Sequence, residues 1–224
     1  MLELAARGRL TRREVDLPLG GPARLLYVSD LHLTPWHAHV VDQVLEQARQ
    51  CQPDLVVLGG DLADLPSGLA ELERLVAHLP APVLAVPGNH DRHLGLGRVR
   101  TALERAGGTW LEQSCSFRGV TLDGVCRSEV EPGSILCAHE PDVFEAAARA
   151  GYALVLAGHL HGSQFVLGQR AGLLYPGAWF YRWNGDRFQR GQCTMLVSRG
   201  VNDTLPIRWN CPREVLLCRL LPRS

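Results

Sequence analysis

The first two-thirds of the chain alternates short, mainly apolar runs with amphipathic stretches. The apolar runs are "ARLLYV" (23–28), "DLVVLG" (54–59) and "APVLAV" (81–86). Apolar runs of this length, without polar alternation, are typical of strands that are buried on both faces of a sheet. Strands of this kind separated by helices indicate a parallel sheet with helices packed against it. The alternation therefore predicts an α/β fold.

The stretch between the first two apolar runs, "TPWHAHVVDQVLEQARQ", has apolar residues at helical spacing. Thr34 is the expected N-cap of this helix, and Pro35 is its expected first residue. Similar patterns with one apolar face predict further helices over 67–79, 98–107 and 141–151.

Short strands dominate the later part of the chain. The segment "SCSFRGVTLDGV" (114–125) predicts a hairpin that turns near Arg118 and Gly119. The apolar runs "SILCAH" (134–139) and "YALVLAG" (152–158) predict two more buried strands.

From residue 163 onward, only short strands joined by Gly and Pro turns are expected. Trp179, Tyr181 and Trp183 alternate in this part, which predicts that they share one face of a strand. Packing in the core or on the sheet face is favoured there over a platform for a lipid or a base. No internal repeat, low-complexity tract or linker divides the chain. One domain over residues 1–224 is therefore expected.

Composition excludes several classes of protein. Hydrophobic residues make up 46% of the 224 residues and charged residues 21%, which is typical of a folded domain and argues against disorder. The 23 basic and 23 acidic residues balance each other, and no basic stripe is present. A nucleic-acid duplex is therefore not an expected partner.

Targeting signals and cysteine spacing bear on location. The N-terminal stretch (1–21) lacks the apolar core of a secretory signal, and no segment reaches the ~20 apolar residues of a spanning helix. A cytoplasmic protein is expected, with peripheral membrane contact and oligomeric state left open. The seven Cys are scattered, odd in number and without a C-x-x-C pair, so free buried thiols are expected rather than disulfides or a thiolate zinc site.

Each predicted buried strand ends at residues of the types that bind metals. In an open α/β sheet, binding crevices lie at the carboxyl ends of strands, so residues far apart in sequence can meet there. A single histidine at the end of a strand is more often a structural residue than a metal ligand. Five strand ends that follow the same rule favour a shared site. The residues concerned are Asp30, His32, Asp61, Asn89, His90, His139, His159 and His161.

The stretch "PGNHD" (87–91) allows two interpretations. Pro, Gly, Asn and Asp commonly form turns at strand ends, and on that interpretation His90 has no chemical role. The alternative is that Asn89 and its neighbours belong to the shared site, and the other strand-end residues supply the structural context that favours this alternative.

The ordered motifs "DLH", "GGD", "GNHD", "AHEP" and "GHLH" resemble the calcineurin-like metallophosphoesterases, whose pattern D-x-H, G-D, G-N-H-[DE], H and G-H-x-H is complete here over residues 24–162. The tail, with "VSRGV", "PIR" and "PREVLLCRL", further resembles a bacterial subgroup of soluble and membrane-associated phosphodiesterases. Two departures from that subgroup are "GHLHGSQ" in place of G-H-T-H-G-G-Q and Asn202 in place of a Gly.

The resemblance implies a four-layer α-β-β-α fold, in which two mixed β-sheets pack as a sandwich flanked by helices. It also implies two divalent metal ions at the strand ends. Carried over residue by residue, the first ion would be held by Asp30, His32 and His161, the second by Asn89, His139 and His159, and Asp61 would bridge them.

The chemistry of phosphoester hydrolysis accounts for these residue types. Two divalent ions clamp a phosphoryl oxygen and activate a hydroxide between them for in-line attack. Nitrogen and oxygen ligands without thiolate suit Mn²⁺, Fe or Zn²⁺, and Mn²⁺ is the ion expected to serve in vitro. His90 would then stabilise the phosphoryl charge or protonate the leaving oxygen, with Asp91 orienting its imidazole.

The expected function is thus a binuclear metal-dependent phosphoesterase that hydrolyses phosphodiester or pyrophosphate bonds of a small or amphipathic metabolite. A phosphomonoesterase or protein phosphatase of the same fold is the alternative enzyme. A non-catalytic metal-binding scaffold is the alternative from another class, and His90 argues against it. The sequence leaves the physiological substrate open.

Overall fold

Two six-stranded β-sheets pack face to face, and helices cover their outer faces. The structure is a computed structural model that describes residues 2–4, 8–203 and 205–222. Within these ranges the strands are β1 (Leu2–Leu4), β2 (Thr11–Leu17), β3 (Ala23–Val28), β4 (Leu55–Gly59), β5 (Val83–Val86), β6 (Thr109–Trp110), β7 (Cys115–Phe117), β8 (Val120–Asp123), β9 (Ile135–Cys137), β10 (Leu154–Ala157), β11 (Val166–Arg170), β12 (Leu173–Pro176), β13 (Arg187–Arg190), β14 (Cys193–Val197), β15 (Ile207–Trp209) and β16 (Glu214–Leu220).

The helices lie mostly between strands of the first half. The α-helices are α1 (Ala38–Cys51), α2 (Leu69–His78), α3 (Asn89–Leu94), α4 (Leu96–Arg105) and α5 (Phe144–Ala150). Short 3₁₀ turns occupy Pro66–Gly68, Pro141–Val143, His161–Ser163 and Gly177–Trp179. In the part of the chain that the structure describes, no helix has the length and apolar character needed to cross a membrane.

The first large sheet has the strand order β2-β16-β3-β4-β5-β6. Strands β3 to β6 run parallel, whereas β16 runs antiparallel to β3 and parallel to β2. Because β3, β4 and β5 are parallel neighbours, their carboxyl ends lie along one edge of the sheet.

The second large sheet has the order β13-β14-β10-β9-β8-β7. Its four central strands are parallel, and the edge strands β13 and β7 are antiparallel to their neighbours. Two small antiparallel sheets, β1 with β15 and β11 with β12, complete the described strands.

Alternation along β3 shows how the layers are built. Leu25 and Tyr27 point into the apolar cluster between the two sheets, whereas Leu26 and Val28 point to the cluster beneath α1, α2 and α4. On the far side of the second sheet, α5 packs Phe144 against the sheet. The two sheets and their helices confirm the predicted four-layer α-β-β-α sandwich, because each sheet buries both of its faces.

Two local predictions were wrong. The first helix begins at Ala38, because the preceding residues form a turn in which the His37 N–H donates to the Thr34 carbonyl, so Thr34 and Pro35 do not start the helix. Trp179 and Tyr181 do not lie on a strand, since the chain forms a 3₁₀ turn after β12 and continues without regular structure, and both side chains are more than half exposed. Trp183 is buried against α5.

Candidate metal centre

The predicted ligands converge where both sheets present the carboxyl ends of their strands. Residues from five loops take part, one after each of β3, β4, β5, β9 and β10. The loops of the first sheet carry Asp30, His32, Asp61 and Asn89, and those of the second sheet carry His139, His159 and His161.

One cluster consists of Asp30, His32 and His161, which are all buried. His32 Nε2 and His161 Nε2 lie 3.2 Å apart, and His161 Nε2 lies 3.5 Å from Asp30 Oδ1. These three side chains come from both sheets, and their ligand atoms surround one small volume.

The second cluster is centred on His139. Its Nε2 atom lies 3.1 Å from Asn89 Oδ1, 3.1 Å from His159 Nδ1 and 3.2 Å from the Asp61 carboxylate. The Asp61 Oδ2 atom that faces His139 also lies 3.7 Å from His32 Nε2. Asp61 therefore reaches both clusters, as a bridging ligand must.

The histidine rings are oriented for metal binding. The hydrogen-bond partners of Nδ1 assign the proton to that atom in three rings, since His139 donates to the Gly59 carbonyl at 2.9 Å, His32 to Asp64 Oδ1 at 2.8 Å and His161 to the Asn202 carbonyl at 3.2 Å. Each Nε2 then faces the other ligand atoms and can bind a metal when it carries no proton. This pattern, with Nδ1 held by an oxygen, is typical of histidines that bind metals.

The converging atoms are almost all acceptors, so the clusters need a positive charge among them. Lone pairs on two ring nitrogens 3.2 Å apart repel each other unless a proton or a cation lies between them. Imidazole, carboxylate and amide ligands without a thiolate fit divalent Mn, Fe or Zn. The residues present therefore fit two divalent cations.

Ionisation of the clusters also favours cation binding. Burial lowers the pKa of His161 to about 4, so this ring is neutral near pH 7 and free to bind a metal. Burial also disfavours the charged form of His139, but its hydrogen bond to Asp61 and the negative charges of Asp30 and Asp61 together outweigh burial and raise the pKa of His139 to about 9. A cation bound there would displace that proton.

The charges of the two aspartates are maintained despite burial. Burial raises the pKa of Asp30, but the neighbouring histidines, His161 foremost, outweigh burial and hold that pKa below its ordinary value. Burial acts in the same direction on Asp61, but its hydrogen bond to His139 and the charges of His139 and His32 together outweigh burial and lower the pKa of this carboxyl. Two carboxylates therefore stay ionised beside the histidines and attract cations.

Backbone strain is concentrated in these loops. Residues with a Cβ rarely adopt positive φ, and such conformations persist where the surrounding structure imposes them, often at functional sites. Five of the seven predicted ligands have a positive φ, namely Asp30 (57°), His32 (43°), Asp61 (52°), His159 (71°) and His161 (50°).

The structure requires glycine at Gly60 of the motif "GGD" and at Gly88 of the motif "PGNHD". Gly60 has a φ of 89°, which favours a residue without a Cβ. A Cβ on Gly88 would overlap the Asp61 carboxylate. The two glycines thus allow the loops after β4 and β5 to approach each other closely enough for Asp61 to join the centre.

His90 lies at the rim of the centre. Its Nδ1 atom is 2.9 Å from Asp64 Oδ1, its ring centroid is 4.6 Å from that of His32, and 37% of its side chain is exposed. Its Nε2 atom has no hydrogen-bond partner among the described residues, so this nitrogen is available to a substrate.

The expected role of Asp91 in orienting His90 is corrected by the structure. Asp91 occupies the third position of α3, where its Oδ2 accepts from the backbone N–H of Gly88 at 2.8 Å. Its Oδ1 accepts from the N–H of Leu62 at 2.8 Å. Asp91 therefore joins the loop after β4 to the loop after β5. The carboxylate that contacts the His90 ring is that of Asp64.

Sequence reasoning missed three residues of the centre. Asp64, three residues after Asp61, contacts both His32 and His90, and no strand-end motif singles it out. Asn202 and Arg208 support His161 from the later part of the chain: the Asn202 carbonyl accepts from His161 Nδ1 and from Arg208 Nη2 at 2.7 Å. In the sequence, Asn202 stands out only as a departure from the subgroup pattern, and nothing marks Arg208.

The cysteines take no part in the clusters. All seven are free, five of them are buried, and the metal-ligand groups found among the described residues contain only His and Asp. This agrees with the expectation of free thiols.

Comparison with known proteins gives matches to phosphoesterases. Phosphodiesterase YaeI of Escherichia coli (strain K12) is 26% identical over 224 residues, which cover 89% of this chain and 83% of YaeI. An uncharacterised metallophosphoesterase of Helicobacter pylori (strain 26695) is 27% identical over 231 residues, which cover 90% of this chain but 60% of that protein.

The fold is similar to a solved structure as well. The crystal structure of TT1561 of Thermus thermophilus superposes with a TM-score of 0.56 at 14% sequence identity, covering 80% of this chain and 90% of that chain. The sequence model of the calcineurin-like phosphoesterases matches residues 23–163. Because that match takes in more than half of the chain and every residue of both clusters, the chain belongs to the calcineurin-like phosphoesterase family, whose members are hydrolases of phosphoester bonds.

Proposed function

We propose that the chain hydrolyses phosphodiester bonds of a small molecule with two divalent metal ions. Asp30, His32 and His161 would hold one ion, and Asn89, His139 and His159 the other. Asp61 would be shared. The observation that carries this proposal is the 3.2 Å and 3.7 Å approach of a single Asp61 oxygen to His139 and His32, one from each cluster.

Ions held there would withdraw charge from the phosphoryl group and make water a stronger nucleophile. The residues of the chain orient the reaction. The five loops fix the ligand atoms before substrate arrives, so no reorganisation is needed during reaction. The YaeI relative carries the name phosphodiesterase, which supports a diester over a monoester as the substrate class.

His90 would act on the leaving group. Asp64 holds Nδ1, so the exposed side of the ring presents Nε2, from which a proton can pass to the departing oxygen. The carboxylate of Asp64 thereby fixes the orientation of the His90 ring. The role proposed for Asp91 is structural, since both of its oxygens accept from backbone N–H groups.

Substitution of His90 tests this function. In Mn²⁺-loaded protein, His90→Ala should lower kcat for alkyl diesters by roughly 10²–10⁴ and keep two metals per chain. The loss should be smaller for p-nitrophenyl esters, because p-nitrophenolate departs without much help from an acid. Steady-state kinetics on both substrate types and elemental analysis give the two readouts.

His78→Ala is the matched control, since His78 lies on the exposed surface of α2 and should leave both rates unchanged. Equal rates for wild type and His90→Ala on both substrate types would remove the catalytic role. Absence of any hydrolysis by wild type with two metals bound, across diesters, monoesters and sugar nucleotides, would favour a metal-binding scaffold.

A further inference from the structure

A cleft of about 480 Å³ opens directly beside the metal centre. His139 and Gly88 form one end of it, and the cleft extends from there between the loops that follow β5, β6, β8 and β9. Its volume is within the range of small-molecule sites. Two other cavities, of about 590 and 660 Å³, share no residue with either cluster. This cleft is therefore continuous with the site of reaction.

The walls of the cleft are largely apolar. Leu111 and Leu136 form part of its lining and are buried, and Trp110 also borders the cleft. Val125 lies at the mouth, where 62% of the residue is exposed. An exposed aliphatic side chain beside an apolar cavity suits an apolar group that enters from solvent.

Arg92 supplies a positive charge between the cleft and the centre. It lines the cleft together with His139, and it lies three residues after Asn89 on α3, so the two side chains are neighbours on one face of the helix. Among the described residues, no side-chain hydrogen bond or ion pair involves the Arg92 guanidinium. The exposed, unpaired guanidinium matches the bidentate geometry of a phosphate.

We propose that this cleft binds an apolar, ring-sized arm of the phosphodiester substrate, while Arg92 pairs with oxygens of its phosphate. This inference rests on the proposed phosphodiesterase function. The phosphate lies at the centre, and the arm extends past His139 into the cleft. The substrate class that follows is a diester with at least one aryl or similarly compact apolar arm, because alkyl arms as small as methyl leave the cleft unfilled.

Phosphonates that cannot be hydrolysed measure this preference separately from catalysis. With Mn²⁺-loaded protein, calorimetry should show phenylphosphonate binding about 10- to 30-fold more tightly than methylphosphonate, the scale of burying one additional ring. The ratio of kcat/KM for phenyl p-nitrophenyl phosphate over methyl p-nitrophenyl phosphate should be of the same order.

Val125→Trp should fill the mouth of the cleft. The phenyl-to-methyl ratio should then fall below about 3, while methylphosphonate affinity stays at the wild-type value. Leu221→Trp is the matched control: Leu221 is 40% exposed and follows Leu220, which pairs with Ala23 at the end of β3 away from the centre. A ratio that is unchanged in Val125→Trp would overturn the placement of the arm.

Substitution of Arg92 should have a different signature. Arg92→Gln should weaken both phosphonates by the same factor, about tenfold, and leave the phenyl-to-methyl ratio intact. Arg98→Gln, which removes an exposed arginine of α4 away from the cleft, should change neither affinity. Equal binding of both phosphonates by wild type and Arg92→Gln would overturn the role of Arg92.

The two proposals fail in distinguishable ways. If the metal-loaded wild type hydrolyses both diesters and binds both phosphonates with equal affinity, the cleft proposal is wrong and the phosphodiesterase function stands. If it hydrolyses neither diester, the phosphodiesterase function itself is wrong, and the cleft proposal fails with it.

Discussion

Three histidines of the centre follow the same rule, in which an oxygen of the chain fixes Nδ1 and leaves Nε2 for a metal. The oxygens differ: a backbone carbonyl from the strand β4 for His139, a carbonyl from a later loop for His161 and a carboxylate for His32. Outer contacts of this kind typically change metal affinity by 10- to 100-fold when they are removed. Asp64 is the one outer contact that also reaches His90.

Asp64→Asn should therefore affect metal binding and catalysis together. We expect roughly 10- to 100-fold weaker binding at the cluster that contains His32, and a lower kcat because His90 loses its carboxylate. Calorimetric titration with Mn²⁺ measures the first effect, and kinetics on alkyl diesters measure the second. Asp42→Asn, in an exposed ion pair of α1 with Arg74, is the control. If His90→Ala lowers kcat equally in the wild-type and Asp64→Asn backgrounds, Asp64 does not act through His90.

Because Asp61 reaches both clusters, its substitution should change the number of metal ions bound per chain. Asp61→Asn should lower occupancy at both clusters, because the substitution removes the negative charge that would offset repulsion between two cations. His32→Ala should lower occupancy mainly at one cluster. Elemental analysis of both purified variants measures the metal content per chain, and about two metals per chain in Asp61→Asn would contradict a bridging role.

The sequence predicted which residues would meet, but not the residues that hold them in place. Asp30 and His159 each follow an apolar run, and this local signal predicts a residue at the end of a buried strand. Because parallel strands end at a common edge, such residues are expected to meet. The contacts of Asp64 and Asn202 depend on how loops approach in three dimensions. Asp91 shows the same limit: its neighbour in sequence is His90, but its position in α3 directs its carboxylate to backbone N–H groups instead.

At the scale of elements, the later part of the chain supports ligands of the earlier part. The loop between β14 and β15 carries Asn202, whose carbonyl accepts from His161. Arg208 on β15 is buried. Its Nη2 atom lies 2.7 Å from the Asn202 carbonyl and 3.3 Å from His161 Nδ1, so the carbonyl is its acceptor. The Asn202 amide donates to the Leu31 carbonyl at 2.8 Å. One residue thus joins the loops after β3 and β10.

Asn202→Ala should loosen the loop that carries His32. Removing the amide leaves the Leu31 carbonyl without this donor, at a cost of about 1–3 kcal/mol in the free energy of unfolding. Because the loosened loop carries His32, metal affinity should fall only at the cluster that contains His32 and His161. The backbone carbonyl that holds His161 is retained, so that cluster should be weakened and not lost. Urea denaturation with chelator and Mn²⁺ titration give the two readouts, and the exposed Gln113→Ala is the control. Wild-type stability and affinity in Asn202→Ala would contradict this link.

Element prediction succeeded where one physical signal dominated. The strand over 23–28 and the hairpin that turns at Arg118 and Gly119 agree with the structure, since a continuous apolar run and a turn between short strands are local signals. Strand β2, "TRREVDL", is an edge strand with mostly polar side chains, so no apolar run marks it. Its pairing with β16 depends on contacts across about two hundred residues.

At the scale of the molecule, each cluster joins the two sheets. One cluster combines Asp30 and His32 of the first sheet with His161 of the second, and the other cluster has ligands from both sheets as well. Below them, the buried Tyr27 of β3 donates its hydroxyl proton to the Ala138 carbonyl at 2.7 Å, which is a direct link across the apolar layer. Metal ions would therefore act as clamps at one edge of the sandwich.

This arrangement predicts that metal ions stabilise both sheets as a unit. A ligand present at about 100 times its Kd contributes about 2.7 kcal/mol to stability, and in a chain of this size that amounts to a rise in Tm of roughly 5–10 °C for each occupied site. Calorimetry should show one cooperative transition with chelator and one with Mn²⁺, displaced upward. His32→Ala should retain part of the displacement. Because each ion would contact both sheets, the two sheets should not unfold in separate steps, and two transitions of which Mn²⁺ moves only one would contradict a single cooperative unit over residues 1–224.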